Sequence, residues 1–156
     1  MTFKKEMFKN TIICGFPGVG KSTAAAKSKE IVDCESTSFH YLPGNLTTEN
    51  PNWVKDYVDH IGDLSSNLGY QYVLLSCHKA VREELARRGV PYVIVAPSSY
   101  CRSEYMARYL KRGDSVKFIK NVYDNWAKWL DEIEEDGMPV IWLNEGQTIS
   151  DVLPIM

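Results

Sequence analysis

The chain has 156 residues, one domain's worth at roughly 100–200 residues per domain, with 44% hydrophobic and 24% charged residues. That is enough apolar side chain for a core and too little charge bias for disorder. A formal net charge of −2 and a pI of 5.9 exclude the strongly basic footprint of a dedicated duplex-binding module, so nucleic acid is not expected as a partner and any phosphate-binding basicity must be local. The four cysteines, Cys14, Cys34, Cys77 and Cys101, form no C-x-x-C pair and read as free thiols rather than a zinc ribbon or disulfide framework. The opening MTFKKEMFKN lacks the apolar core of a signal peptide, and no apolar run approaches the roughly 18–20 residues of a membrane span. The expectation is a soluble, cytoplasmic protein with no membrane partner and an oligomeric state that the sequence leaves open.

Short apolar runs alternate with longer amphipathic stretches, the βαβα pattern of a parallel sheet covered on both faces. Residues 11–14 (TIIC) predict a buried strand, 15–20 a tight glycine loop, and 21–27, with three alanines in a row, a helix start. Ile31 and Val32, ending at Asp33, predict a short second strand. A loop rich in turn formers is expected through Pro43, Gly44 and Asn45 to Asn50, Pro51 and Asn52. Apolar residues then recur at helical spacing from Trp53 to Leu68. Residues 72–75 predict the third strand, 79–88 a helix stopped by Gly89, and 92–95 the fourth strand, ended by Pro97. Two helices, 104–112 and 115–134, are separated at Gly113, and residues 140–143 (VIWL) predict a fifth strand. Trp53, Trp126, Trp129, Tyr57 and Tyr123 fall on amphipathic helices and are expected in the core.

Residues 15–22, GFPGVGKS, match G-x-x-x-x-G-K-[S/T] in full, between a predicted strand and a predicted helix. Glycines let the backbone wrap a phosphate with its N–H groups, a lysine reaches the outer phosphates and a hydroxyl ligates Mg²⁺. The candidate nucleotide-binding residues are therefore Gly15, Pro17, Gly18, Val19, Gly20, Lys21, Ser22 and Thr23.

On this loop and the element order, the chain resembles the P-loop kinases, specifically the small nucleoside monophosphate kinase-like group that includes short, phage-type deoxynucleotide kinases. The resemblance implies an α/β P-loop NTPase fold, a five-stranded mostly parallel sheet with helices on both faces and a helical lid at about residues 98–114. It implies ATP and Mg²⁺ as cofactors. Asp33-Cys34-Glu35-Ser36 is similar to the acidic pair beside the phosphate loop of such kinases. By that likeness Asp33 joins Ser22 in supporting Mg²⁺, and Glu35 binds the acceptor; solvated loop acids are the alternative. No carboxylate follows the third strand, which runs LLSCH, against a motor or switch-type ATPase. Ser76 and His78 fall where the crevice is expected, and Arg82 lies near where these kinases hold the acceptor phosphate, with an ordinary surface charge as its alternative. Arg102, Arg108, Lys111 and Arg112 form a basic cluster on the lid segment. Arg108 and Arg112 share a helical face and are expected to close on the transferring phosphoryl group, or else to be a solvated face balanced by Glu104 and Asp114. A base could stack on Trp53 or Tyr41, and residues 144–148 follow the fifth strand where adenine is held.

The function this implies is phosphoryl transfer from Mg-ATP to a small-molecule acceptor, most simply a nucleoside or deoxynucleoside monophosphate, with Lys21, Asp33, Glu35, Arg108 and Arg112 as catalytic residues and Glu35, Ser76, His78 and Arg82 holding the acceptor. A small-metabolite alcohol kinase, a 5′-hydroxyl polynucleotide kinase and a non-catalytic nucleotide-binding protein are the other readings; only the last needs neither the acidic pair nor the lid arginines.

Overall fold

A computed structural model describes residues 10–42, 45–66 and 69–153. In chain order the elements are β1 (Thr11–Gly15), α1 (Lys21–Lys27), β2 (Ile31–Cys34), β3 (Tyr41–Leu42), β4 (Asn45–Glu49), α2 (Trp53–Ser65), β5 (Tyr72–Ser76), α3 (Lys79–Arg87), β6 (Val93–Pro97), α4 (Arg102–Lys111), α5 (Val116–Glu135), β7 (Val140–Leu143) and α6 (Ile149–Val152). Single 3₁₀ turns occupy Thr37–His40 and Ser99–Cys101.

Five strands form one sheet in the order β2-β5-β1-β6-β7, and every neighbouring pair is parallel, so the sheet is wholly rather than mostly parallel. Parallel neighbours cannot be joined by tight turns, which is why helical crossovers separate them. The strand β1 lies at the centre, in register with β5 from Thr11↔Tyr72 to Gly15↔Ser76 and with β6 from Ile13↔Val93 to Gly15↔Val95. Its Ile12, Ile13 and Cys14 are buried, as a strand covered on both faces requires. The chain leaves β1 toward the β2 edge and leaves β5 toward the β7 edge. This reversal opens a crevice at the carboxyl ends of the central strands.

Several boundaries differ from the sequence reading. Tyr41–Leu42 and Asn45–Glu49 pair as an antiparallel hairpin where a loop was expected. Its Pro43 and Gly44, and Leu68 at the end of the expected helix, lie outside the described residues, as do residues 1–9 and 154–156. Pro97 is tolerated as the last residue of β6, beyond the pairing with β1 that ends at Val95, where the N–H it lacks is not needed by that ladder. The break between α4 and α5 sits at Gly113, whose φ of +86° favours glycine. Of the aromatic residues expected inside, Tyr57 and Trp126 are buried and Trp53 and Trp129 partly so. Tyr123 is exposed, because α5 turns Val122, Trp126, Leu130 and Ile133 inward instead; the Arg102 guanidinium lies 4.3 Å above its ring. All four cysteines are free. Among the described residues no helix is long and apolar enough to cross a membrane.

The fully buried Tyr57 of α2 ties two strand ends together. Its hydroxyl donates to the Cys34 carbonyl at the end of β2 and accepts from the Ser76 N–H at the end of β5, 3.2 Å away. Tyr57→Phe leaves both backbone groups without this partner and is expected to cost about 1–2 kcal/mol. At roughly 2–4 °C per kcal/mol for a chain of this size, thermal melting followed by circular dichroism should show a loss of a few degrees; an unchanged Tm would remove the cross-tie.

Candidate functional site

In the loop between β1 and α1 three successive carbonyls are held by the protein, while Phe16 and Val19 turn their N–H groups inward to the Val95 and Phe16 carbonyls. Tyr109 of α4 donates its hydroxyl to the Pro17 carbonyl at 2.7 Å, Arg108 donates Nη1 to the Gly18 carbonyl at 2.8 Å, and the Ile149 N–H of α6 donates to the Val19 carbonyl at 2.8 Å. Among the described residues, the N–H groups of Gly18, Gly20, Lys21, Ser22 and Thr23 meet no acceptor of the chain. Five outward amide dipoles at a helix start make an anion cradle. Glycine is needed at Gly18: its φ is +90°, and a Cβ would meet Tyr109 Cε1 at 2.8 Å and Tyr105 Cδ2 at 3.2 Å. Val19 is buried, and Phe16 packs edge-on against Trp126 with centroids 5.5 Å apart, so the loop is anchored by apolar side chains as well.

Lys21 is partly buried and donates Nζ to the Gly15 carbonyl at 2.9 Å. Burial lowers its pKa, and the Asp33 carboxylate works against that. Asp33, in β2, is raised by burial, with Lys21 opposing and Glu35 adding to the rise. Its Oδ1 is buried without a hydrogen-bond partner. Glu35, just past β2, is exposed and accepts from Thr37 Oγ1 at 3.3 Å. It borders the same crevice as Lys21, His40 and His78. Ser22 and Thr23 are exposed, and Ser76 is buried at the end of β5. These residues border one open crevice of about 1670 Å³, more than the roughly 300–1,000 Å³ that one small ligand fills.

Its far side brings Trp53 and His78, both named in the sequence reading, together with His40 and Asn50, which that reading missed. His40 stacks on Trp53 with ring centroids 3.9 Å apart and an interplanar angle of 21°, and His78 stands edge-on to both at 5.6 and 5.4 Å. Burial lowers the pKa of both histidines, and for His78 the neighbouring His40 adds to this. Asn50 builds this corner. It is buried, its Nδ2 donates to Asp56 Oδ2 at 2.8 Å, its Oδ1 accepts from the Asn52 N–H, and its N–H donates to the His40 carbonyl at 2.8 Å. In the sequence, Asn50 was legible only as a turn former.

The arginines do not stand where the sequence placed them. Arg82 is buried and donates Nε to Asp136 Oδ2 at 2.6 Å and Nη1 to the Cys77 carbonyl at 2.7 Å, with Tyr92 donating to the same Asp136 oxygen. It braces the floor of the crevice, against the expectation that it reaches for an acceptor phosphate. Arg108 donates to the Gly18 and Gln147 carbonyls and pairs with Glu104 at 2.5 Å, and Glu104 accepts from the Gly146 N–H at 3.0 Å. Arg112 pairs with Asp114, stays half-exposed and lies 5.1 Å above the Tyr109 ring. In this structure the segment expected as a lid packs on the phosphate loop: Tyr105 and Tyr109, one helical turn apart in α4, are fully buried against it. Residues 144–148 form a braced turn, with the N–H groups of Asn144, Gly146, Gln147 and Thr148 bonded within the chain, and they do not border the crevice.

No family model matches the chain. The fold is similar to the solved structure of the Deinococcus radiodurans tunicamycin resistance protein, with a TM-score of 0.59 and 18% sequence identity over 92% of this chain and 91% of that one. The shared architecture is a five-stranded all-parallel sheet flanked by helices, consistent with a P-loop NTPase-like fold. At that identity the likeness carries architecture, and the chemistry has to come from the residues above.

Arg108→Ala removes the tie between the Gly18 carbonyl and residue 147. It is expected to weaken binding of a non-hydrolysable ATP analogue by roughly tenfold, the cost of one charge-assisted hydrogen bond, whereas Arg112→Ala changes it by less than about threefold. Calorimetric titration of both variants checks this, and equal losses would return the two arginines to one shared role. Arg82→Ala leaves Asp136 unpaired in a mostly buried setting, and should lower Tm by roughly 6–12 °C, for about 3 kcal/mol. A melt within 2 °C of the parent (roughly 1 kcal/mol) would show the ion pair to be dispensable.

Proposed function

We propose that the chain is an ATP-dependent phosphotransferase that moves the γ-phosphoryl group of a Mg-nucleotide to a small acceptor seated beside it in the crevice. The observation that carries this reading is the buried, unpartnered Oδ1 of Asp33, electrostatically coupled to Lys21 at the mouth of the amide cradle. A cradle alone would suit a protein that only binds a nucleotide. A carboxylate held without a partner beside it is costly unless something cationic completes it.

The residues fit Mg²⁺ held chiefly by the phosphates and water. Among the described residues no cluster of three or more His, Cys, Asp or Glu could hold a metal alone, and one or two protein oxygens with substrate phosphates is the usual magnesium arrangement. Ser22 Oγ and Asp33 would be its protein partners. When bound, Mg²⁺ neutralises charge on the phosphate oxygens.

The loop amides hold the donor phosphates, and Lys21 turns from the Gly15 carbonyl to the outer ones. Glu35 accepts a hydrogen bond from the acceptor hydroxyl and takes its proton as the acceptor oxygen bonds to the γ-phosphorus. The bond from that phosphorus to the bridging oxygen breaks, leaving ADP and a phosphomonoester, and the proton passes from Glu35 to solvent. Asp33, with its buried and unpartnered Oδ1, and the exposed Glu35, with only a hydroxyl partner, both border the crevice, which supports this division. A nucleoside or deoxynucleoside monophosphate acceptor is the second reading. Arg112 favours it, as the half-exposed guanidinium bordering the crevice.

The test is ADP formation from Mg-ATP with a panel of nucleosides, monophosphates, small alcohols and 5′-hydroxyl oligonucleotides. Lys21→Ala should lower turnover at least 100-fold with the fold intact, since Lys21 adds charge at the phosphates and nothing to the core. Asp33→Asn should lower turnover at least tenfold and raise the magnesium concentration needed for half-maximal rate, with no loss of Tm, because burial already favours the uncharged form of this side chain. Parent-like rates in both variants would overturn the reading.

A further inference from the structure

The acceptor's half of the crevice is distinctive in what it lacks as well as in what it presents. Five cations border the crevice, and each already has an acceptor in the chain: Lys21 the Gly15 carbonyl, Lys79 Glu132, Arg82 Asp136, Arg108 Glu104 with two backbone carbonyls, and Arg112 Asp114. The acids on that side are the reverse case. Glu35 has a hydroxyl partner only, Asp33 Oδ1 has none, and Glu49 at the end of β4 is exposed with no ion pair. A phosphate entering here would have to draw a cation out of an existing bond and lie among carboxylates. A hydroxyl would meet acceptors already in place.

The same wall offers ring faces. Trp53, His40 and His78 meet within 5.6 Å centroid to centroid and border the crevice, with His78 exposed at its mouth and Trp53 partly buried. The corner is organised before any ligand arrives. Asn50 bonds the backbone of His40, accepts the Trp53 N–H on its carbonyl at 3.2 Å and is itself held by Asp56. A buried amide fixing the entry to α2 from the hairpin side is a means of holding two rings at a set angle, which core packing alone does not call for.

We propose that His40, Trp53 and His78 form a ring-binding subsite for the acceptor, and that the acceptor is an uncharged compound joining a planar heteroaromatic ring to a hydroxyl, of nucleoside type. The ring stacks in the aromatic corner, and the hydroxyl is turned toward Glu35, which borders the same crevice. This rests on the phosphotransferase reading for the identity of the hydroxyl's partner, but the ring subsite can be tested without turnover.

Calorimetry on the full chain saturated with a non-hydrolysable ATP analogue and Mg²⁺, which keeps the donor side occupied, would compare four nucleosides, their 5′-monophosphates, ribose, deoxyribose and choline. At least one nucleoside should bind ten times or more tighter than its own sugar and no more weakly than its own monophosphate. Trp53→Ala should erase that preference by roughly tenfold, the usual worth of one stacked base, while Trp53→Phe keeps it and the analogue's affinity stays within about twofold. If Trp53→Ala fails to fold, His78→Ala, at an exposed position, should still cost several-fold. A tighter monophosphate, tighter choline, absence of any ring preference, or an unaltered preference in both variants would overturn the proposal. ADP formation on a ringless alcohol but on no nucleoside would sink the ring subsite and leave the phosphotransferase reading standing. Ring binding without ADP formation on any acceptor would do the opposite.

Discussion

The phosphate loop has to be held by its carbonyls for its amides to be available. Each peptide unit of the loop points its two dipole ends in opposite directions, so the groups that fix one end decide what the other can bind. Here the Pro17, Gly18 and Val19 carbonyls are taken by Tyr109 and Arg108 of α4 and by Ile149 of α6, two helices distant in the chain. The amides of residues 18 and 20–23 are left facing the crevice without partners. The burial of Tyr105 and Tyr109, the Glu104–Arg108 pair and the approach of α6 to the loop all serve that orientation. Gly18 is glycine because the tyrosines that hold the loop come too close for a Cβ.

The acceptor side is organised by a different device. Tyr57 bonds the ends of β2 and β5, and Asn50 bonds the hairpin to the start of α2, so Asp33, Glu35, Ser76, His40, Trp53 and His78 are positioned by two buried polar side chains on and just before one helix. Buried hydrogen-bonding groups of this kind specify geometry more than they add stability, because each is costly if misplaced. The division matches a reaction in which two substrates must meet: one half is braced by α4 and α6, the other by α2, and the carboxylates of Asp33 and Glu35 stand at the seam.

Much of this was legible in the sequence where a local rule fixes the outcome. The strand–loop–helix around GFPGVGKS, the five strand cores and the helix break at Gly113 follow from apolar periodicity, glycine and turn chemistry, which act over a few residues. What was not legible depends on partners distant in the chain. Arg82 looked like a free cation because Asp136 lies 54 residues away, and Arg108 looked like a lid arginine because its partner Gly18 is 90 residues back. The hairpin at Tyr41–Glu49 was hidden by asparagines that read as loop, and His40 carried no local signal at all. Tyr105 and Tyr109 recur at i, i+4 among charges, which marks a buried stripe; the nearby arginines drew the eye to the wrong face.

The pairing of the crevice cations within the chain also fits the proposed phosphate site to an acidic protein. A net charge of −2 leaves little long-range attraction for an anion, and surface guanidinium groups would be screened within about 8–10 Å at physiological salt. Backbone dipoles do not depend on net charge, are neutral when empty and leave no uncompensated cation in the free protein. In the proposed reading the amides would recognise the donor phosphates, and the arginines brace the structure: Arg82 ties α3 and the end of β5 to Asp136 at the end of α5, and Arg108 ties the phosphate loop to α4 through Gly18. The charged side chain left for chemistry on the donor side is then Lys21. It lies beside Asp33, the two opposing each other's burial-driven pKa shifts, where in the proposed reaction a phosphoryl group would pass between donor and acceptor.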